Sequence, residues 1–155
     1  MTDPTDDEIE QGLRASTGNW DELWKIWHQV QSERDYGTWA GGQKVDTRVV
    51  DGVEQAVIQM PYVEHPRKVM HLIGLIYELG LVVPFDWSAW VKGKEYPRDA
   101  SLEGAPVADA VRLLTAILRA DRFNEGTIRS TLEDGTFSGA MTRLLHWYTH
   151  ERDSS

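Results

Sequence analysis

Apolar residues recur at spacings of three and four along most of the chain, the period that places side chains on one face of an α-helix. Weaker patterns of this kind predict a short acidic helix over residues 3–15 and another helix over 123–133. The clearest stripes predict core-facing helices over residues 19–34, 66–80, 106–121 and 137–150. We therefore expect five or six helices around one core.

One segment has a different period. Two runs rich in β-branched residues, KVDTRVV and VEQAVIQM, flank Asp51-Gly52, a pair that favours the tight turn of a hairpin. Pro61 closes this segment, and Pro66 begins the next helix. The prediction is a mainly α fold: a single-domain helical bundle with a small β-hairpin.

Length and composition indicate the number of domains, the kinds of site that are excluded and the cellular location. The 155 residues predict one domain over 1–155, which opens with an acidic N-terminal segment, 1–16. There are no cysteines, which excludes disulfides, thiolate nucleophiles and zinc sites of the cysteine type. The acidic start lacks the features of a signal peptide, and no window approaches the ~20 apolar residues that span a bilayer. We expect a cytoplasmic protein without a membrane segment.

The net charge and the absence of known motifs reduce the number of possible functions. The net charge of −9 repels the phosphate backbone, so nucleic acid is an unlikely partner. The chain lacks the phosphate-binding loop, the dinucleotide fingerprint, the H-E-x-x-H zinc motif and the G-x-S-x-G elbow. His146 and His150 share a helix face, but two ligands rarely make a metal site. Neither a metal nor a cofactor is expected, and the balance is against an enzyme.

The tryptophans divide into two groups. Trp20, Trp24 and Trp27 lie at core spacing in one predicted helix, so burial explains them. Trp39 stands beside Gly41-Gly42 in a predicted loop, where it could pack on the domain or stack on a planar ligand.

The stretch FDWSAWV predicts a short helix capped by Asp86. Trp87 and Trp90 would lie to one side of that helix, each half-buried. The polar segment that follows, residues 92–106, is rich in turn formers and predicts an exposed loop.

The stretch LLTAILRADRFNEG, residues 113–126, is the main candidate for a site. Arg112, Thr115 and Arg119 recur at three and four, which predicts a polar stripe on the face away from Leu114 and Leu118. Charged residues and one phenylalanine then surround the point where the helix should end.

Two interpretations of this stretch remain open. The first and favoured interpretation is a structural corner between two helices. In it Arg119 offsets the helix dipole and Asp121 caps the next helix. Phe123 enters the core, and Glu125 pairs with an arginine. In the second it is an anion pocket, where arginines bind phosphate or carboxylate, carboxylates orient the ligand and a tryptophan stacks on it. The candidate ligand-binding residues are Trp39, Asp86, Trp87, Trp90, Arg119, Asp121, Arg122 and Glu125.

The order of MPYVEHP, IYELGLVVPFDWSAW and LLTAILRADRFNEGTIRSTLEDG resembles a family of small bacterial and bacteriophage proteins described only as a domain of unknown function. The likeness covers the family-like core, residues 39–145, and its most distinctive motifs are FDW-x-x-W and R-x-D-R-F-x-E-G. The resemblance implies a fold-sized unit and a site, but no reaction. The family pattern would fall on Pro61, Tyr62, Tyr77, Phe85, Asp86, Trp87, Trp90, Arg119, Asp121, Arg122, Phe123, Glu125 and Gly126.

Two functions follow as expectations. The first is a non-enzymatic binding or accessory protein, of phage or mobile-element origin, that engages a host protein. The second is a protein that binds, or acts on, a nucleotide-like anionic small molecule through an arginine, aspartate and tryptophan pocket. Convergence of Arg119, Arg122 and Asp86 on one cleft would favour the second.

Overall fold

The structure, a computed structural model, describes residues 2–41, 44–58, 60–96 and 102–153. The described helices are α1 (Asp6–Ala15), α2 (Trp20–Gln31), α3 (Arg67–Glu78), α4 (Lys92–Glu95), α5 (Val107–Asp121), α6 (Thr127–Asp134) and α7 (Thr136–His146). A 3₁₀ turn over Trp87–Ala89 precedes α4, and α7 continues as a wider π turn over Trp147–Glu151. The described strands are β1 (Thr38–Ala40), β2 (Lys44–Val50), β3 (Val53–Ile58) and β4 (Tyr62–Glu64).

The core lies between the long helices, where α2 packs on α3 and α5 packs on α7. Trp147, Phe137 and Leu114 are among its fully buried side chains. The prediction of a mainly α single domain with a hairpin is confirmed. The described residues form seven α-helices instead of five or six, because the predicted loop after the FDWSAWV stretch contains the single turn α4. Residues 97–101 of that predicted loop lie outside the described residues.

Local sequence signals explain where the helices begin. Thr5 accepts the N–H of Glu8 while Glu8 accepts that of Thr5, which is a capping box at α1. Asn19 caps α2 with a single bond, in which its side-chain oxygen accepts the N–H of Glu22. Pro66 and Pro106 immediately precede α3 and α5, where a missing N–H costs no hydrogen bond.

Two burial predictions are wrong in part. Trp20 and Trp27 are buried as expected, but Trp24 is only half-buried at the edge of the core. Its ring packs on Trp20 and Tyr148, with centroids 6.1 Å and 5.5 Å away. The buried Trp20 and the half-buried Tyr148 therefore hold Trp24 at the edge of the core, although its spacing also suits a fully buried position.

The predicted polar stripe of α5 is the second correction. Thr115 is fully buried, where its hydroxyl donates to the carbonyl of Val111 and accepts the N–H of Val83. A hydroxyl that bonds its own helix can enter the core, so a polar position need not be an exposed one. Arg112 is also mostly covered, because it forms ion pairs with Asp6 and Asp109.

The predicted hairpin is confirmed over β2 and β3. Asp51 and Gly52 have φ of 52° and 79°, as a two-residue turn of type I′ requires. A second antiparallel pair, β1 with β4, continues the same two chain segments toward the helices. Trp39 therefore lies in a strand opposite Val63 and not in a loop, which corrects the prediction. Gly42, the second half of the predicted glycine break, lies outside the described residues.

No helix in the described part of the chain has the length and apolar character needed to cross a membrane.

Candidate functional site

The corner between α5 and α6 is built by Asp121. This last residue of α5 uses its Oδ1 to accept the N–H of Ile128 in the first turn of α6, at 3.0 Å. A helix N-terminus has free N–H groups, and a carboxylate that accepts one of them fixes the entry of the chain. The predicted capping role of Asp121 is thus confirmed. Gly126, at φ 97°, makes the turn immediately before α6.

Glu125 and Gly126 contact the strands, a role that the sequence did not suggest. The Oε1 of Glu125 accepts the backbone N–H of Val63 in β4, at 2.8 Å. A side chain at Gly126 would lie 2.8 Å from the Trp39 ring, so the glycine allows this indole of β1 to sit directly on the corner. No arginine among the described residues forms an ion pair with Glu125, so the predicted pair is wrong for this part of the chain, and the Oε1 binds β4 instead.

Phe123 is not a core residue. Its side chain is 82% exposed and stacks on the ring of Trp87, with centroids 6.1 Å apart and planes inclined by 25°. Phe123 follows the end of α5 at Asp121 and lies in the turn that leads to α6, so its ring does not continue the core face of α5. The prediction that Phe123 enters the core is wrong.

Arg119 and Arg122 lie on the wall of a surface groove of about 460 Å³. Arg119 is in the last turn of α5, as the favoured corner interpretation expected. Within the described part of the chain, neither guanidinium forms an ion pair or a hydrogen bond, so the corner carboxylates do not neutralise them. We call this the arginine groove; its lining residues are Asp3, Val83, Pro84, Phe85, Trp87, Arg119, Arg122 and Phe123.

Asp86 faces a second, neighbouring groove of about 490 Å³. Its carboxylate accepts the Ser88 hydroxyl at 2.8 Å and makes no cap for the 3₁₀ turn, which corrects the predicted helix cap. Arg112 and Trp90 line this second groove together with Asp86, whereas Arg119 and Arg122 do not. The structure thus brings the two arginines together with Trp87 but places Asp86 in the neighbouring groove, which shares Asp3 and Phe85 with the arginine groove.

The remaining predicted residues lie apart from the arginine groove. Trp90 packs edge-on against Phe85, with centroids 5.8 Å apart at 82°, and covers Gly93. Trp39 is 49% exposed and lines neither groove. Its contact with Gly126 favours the packing interpretation over ligand stacking.

Asp3 is the charged residue of the arginine groove that the sequence interpretation missed. The first ten residues look like a solvated acidic tail, yet Asp3 lines both grooves, and Asp6 ion-pairs with Arg112. The capping box of Thr5 and Glu8 was a usable signal, because it fixes the start of α1, with Asp6 in its first turn and Asp3 just before it.

A buried charge network supports the second groove. Asp109 is 2% exposed and accepts hydrogen bonds from Arg112 and from the hydroxyl of Tyr96. Burial and this hydrogen bond raise the pKa of Tyr96 well above its usual range. Burial alone would lower the pKa of Arg112, but the hydrogen bonds that its guanidinium donates to Asp6 and Asp109 outweigh burial and raise this pKa. These side chains form hydrogen bonds and ion pairs with one another and so stabilise the fold.

Comparison with known proteins adds a family. A sequence model described as "Family of unknown function (DUF6508)" matches residues 15–150, which extends on both sides of the family-like core 39–145. No curated protein and no solved structure matches the chain.

Proposed function

The chain belongs to the DUF6508 family, whose description names no reaction, and we propose from the geometry that it is a non-enzymatic binding protein. In this proposal the arginine groove holds an acidic segment of a partner protein. The observation that carries it is the pair of guanidinium groups without an ionic partner among the described residues, next to the exposed stack of Phe123 on Trp87.

The chemistry of the groove favours a protein segment. Arginine and large aromatic residues are the side chains that most often dominate the binding energy of protein interfaces. Arg119 and Arg122 can each bind a carboxylate through two parallel hydrogen bonds. An apolar side chain of the partner would lie on the ring of Phe123, which is 82% exposed in the free protein. Asp3 at the groove edge would favour a neutral or basic group in the neighbouring position of the partner.

The lining of the groove also bears on catalysis. Of the described residues that line it, Asp3 is the one carboxylate and none is a histidine. A general acid and base pair therefore has only one candidate member here, and Asp86 lies in the neighbouring groove. This composition supports binding over reaction.

A narrower form of the proposal concerns the biological origin and the cellular location of the protein. The motifs FDW-x-x-W and R-x-D-R-F-x-E-G, with their bacterial and bacteriophage resemblance, support a phage or mobile-element accessory protein that engages a host protein. The lack of cysteine supports a reducing cytoplasm as its location.

A capture experiment with matched variants tests the proposal. Immobilised wild-type protein, the double variant R119Q/R122Q and the control R34Q/R67Q would be incubated with bacterial lysate, and bound proteins quantified by mass spectrometry. The control removes the same charge from exposed arginines outside the groove. We expect a partner that wild type and control retain equally and that R119Q/R122Q loses by about tenfold or more, as for a disrupted charged hot spot. Equal retention by all three proteins would refute the proposal.

A second function, the binding of an anionic small molecule, is favoured by the size of the groove. Its volume of about 460 Å³ lies within the range of ligand pockets, roughly 300–1,000 Å³. A thermal-shift screen against nucleotides and dinucleotides tests it, since a ligand at 100 times its Kd adds about 2.7 kcal/mol to stability. A shift that R119Q/R122Q abolishes and R34Q/R67Q retains would support a small ligand in place of a protein segment.

A further inference from the structure

The hairpin β2–β3, residues 44–58, projects from the helical body, and no other described strand pairs with either of its edges. We call it the arm. The side chains of residues 46–56 are all exposed, including Val49 and Val53, which are 67% and 61% exposed. An isolated two-stranded hairpin is only marginally stable in water, and an open edge is a template for a further strand.

The backbone of β2 has a specific residue at the centre of this edge. Val50 and Val53 flank the two-residue turn and so exchange both hydrogen bonds, and the bonded pairs then alternate along the arm. By this alternation Thr47, opposite Ala56, directs its N–H and C=O away from β3. Its N–H donates to the carboxylate of the adjacent Asp46, at 2.8 Å, as expected of a group with no strand to bond.

Charge around Thr47 is self-complementary. Asp46 and Arg48 precede and follow it and lie on the same face of the arm, opposite the neutral residues Val57 and Gln55. When two copies of β2 pair antiparallel about Thr47, Asp46 of each copy lies directly opposite Arg48 of the other. Opposite charges in such cross-strand positions stabilise a sheet, and like charges destabilise it.

The other edge of the arm lacks this property. Antiparallel pairing of two β3 strands about Ala56, the outward-directed residue that lies opposite Thr47, would place Glu54 opposite Ile58 of the other copy. Such pairing offers no opposite charge to Glu54. Charge complementarity therefore favours the edge of β2 over the edge of β3 for pairing with a second copy of this chain.

We propose that two copies of the protein associate through β2, with Thr47 on the two-fold axis, to form a four-stranded antiparallel sheet in the order β3-β2-β2-β3. The N–H of Thr47 then donates to the carbonyl of Thr47 in the second copy. Asp46, released from that N–H, pairs with Arg48 of the second copy. The arm is thereby stabilised by a partner strand on the edge that the free chain leaves open.

Two proline variants test which edge pairs. Thr47→Pro removes an N–H from the free edge of β2, and Ala56→Pro removes one from the free edge of β3, while neither removes a hydrogen bond between the two strands. The N–H lost in T47P is the one that contacts the Asp46 carboxylate in the free chain. By sedimentation velocity we expect wild type and A56P to have twice the chain mass of 17.7 kDa, and T47P to have one chain mass. Helix content by circular dichroism should be the same in all three. A monomeric wild type, or a T47P variant as dimeric as A56P, would overturn the proposal.

Charge exchange gives an independent test that does not depend on proline. Asp46→Arg places like charges opposite each other across the axis, and so does Arg48→Asp, so each variant alone should be monomeric. The double variant D46R/R48D restores opposite pairs and should dimerise, and an equimolar mixture of the two single variants should form mixed dimers. Single variants that remain dimeric, or a mixture that remains monomeric, would refute the assigned register.

Discussion

The carboxylate of Glu125 accepts the backbone N–H of Val63 at 2.8 Å, and this bond joins the corner between α5 and α6 to the base of the β-structure. One residue later, Gly126 leaves the space that the Trp39 ring occupies. The end of the R-x-D-R-F-x-E-G motif thus holds β1 and β4 against the helices. Its arginines and phenylalanine face the groove, so one short motif serves two surfaces.

The Glu125 contact predicts a loss of stability on truncation. Glu125→Ala leaves the Val63 N–H part-buried without its acceptor, a change that costs about 1–3 kcal/mol. Glu125→Gln keeps a carbonyl acceptor and should cost less. Urea unfolding measures both, with Glu78→Ala, an exposed carboxylate on α3, as the control. Hydrogen exchange at Val63 should be faster in E125A, and an unchanged exchange rate would contradict the anchoring role.

Gly126 predicts a second, separable cost. Gly126→Ala puts a side chain on a backbone with φ 97°, which costs roughly 1–2 kcal/mol, and places its Cβ 2.8 Å from the Trp39 ring. Gly80→Ala, at φ 75° with open space around it, should show the backbone cost alone. The extra loss at Gly126 should disappear when Trp39 is also alanine. A double-mutant cycle measures this, and additive costs for W39A and G126A would exclude the steric contact.

The features of the fold that the sequence predicted correctly are those that depend on a local pattern of residues. The helical stripes, the Asp51-Gly52 turn and the capping by Asp121 follow from spacing and short-range hydrogen bonds, and the structure contains all three. The bond from Glu125 to Val63 joins residues 62 apart, and no periodicity encodes such a partner. For the same reason the sequence could not divide Arg119, Arg122 and Asp86 between two grooves.

Phe123 predicts a small stability effect, in contrast to a true core phenylalanine. Its 82% exposure means that Phe123→Ala removes little buried surface, so unfolding should change by no more than about 0.5 kcal/mol. Phe137→Ala, at a fully buried position, should cost about 3–5 kcal/mol. Chemical denaturation compares the two. A loss of several kcal/mol for F123A would mean that this ring belongs to the core after all.

The π turn at the end of α7 predicts a pH dependence of stability. Hydrogen bonds from Arg143, at 2.8 Å and 3.1 Å, lower the pKa of the Glu151 carboxyl; burial opposes this, and His146 assists it. A carboxyl whose pKa is lower in the folded than in the unfolded chain stabilises the fold above its ordinary value of about 4.5. That contribution is lost as the pH falls through the lowered, folded-state pKa.

The Glu151→Gln variant isolates this contribution, because an amide does not titrate. We expect urea unfolding to show that wild type loses more stability than E151Q between neutral pH and about pH 3, where an ordinary glutamate is largely protonated. Glu133→Gln is the matched control: Glu133 also pairs with an arginine, Arg129, but across an exposed helix surface. Surface pairs of this kind contribute little to stability, so E133Q should follow the wild-type pH curve. Identical curves for E151Q and wild type would show that the Arg143 bond does not stabilise the end of α7.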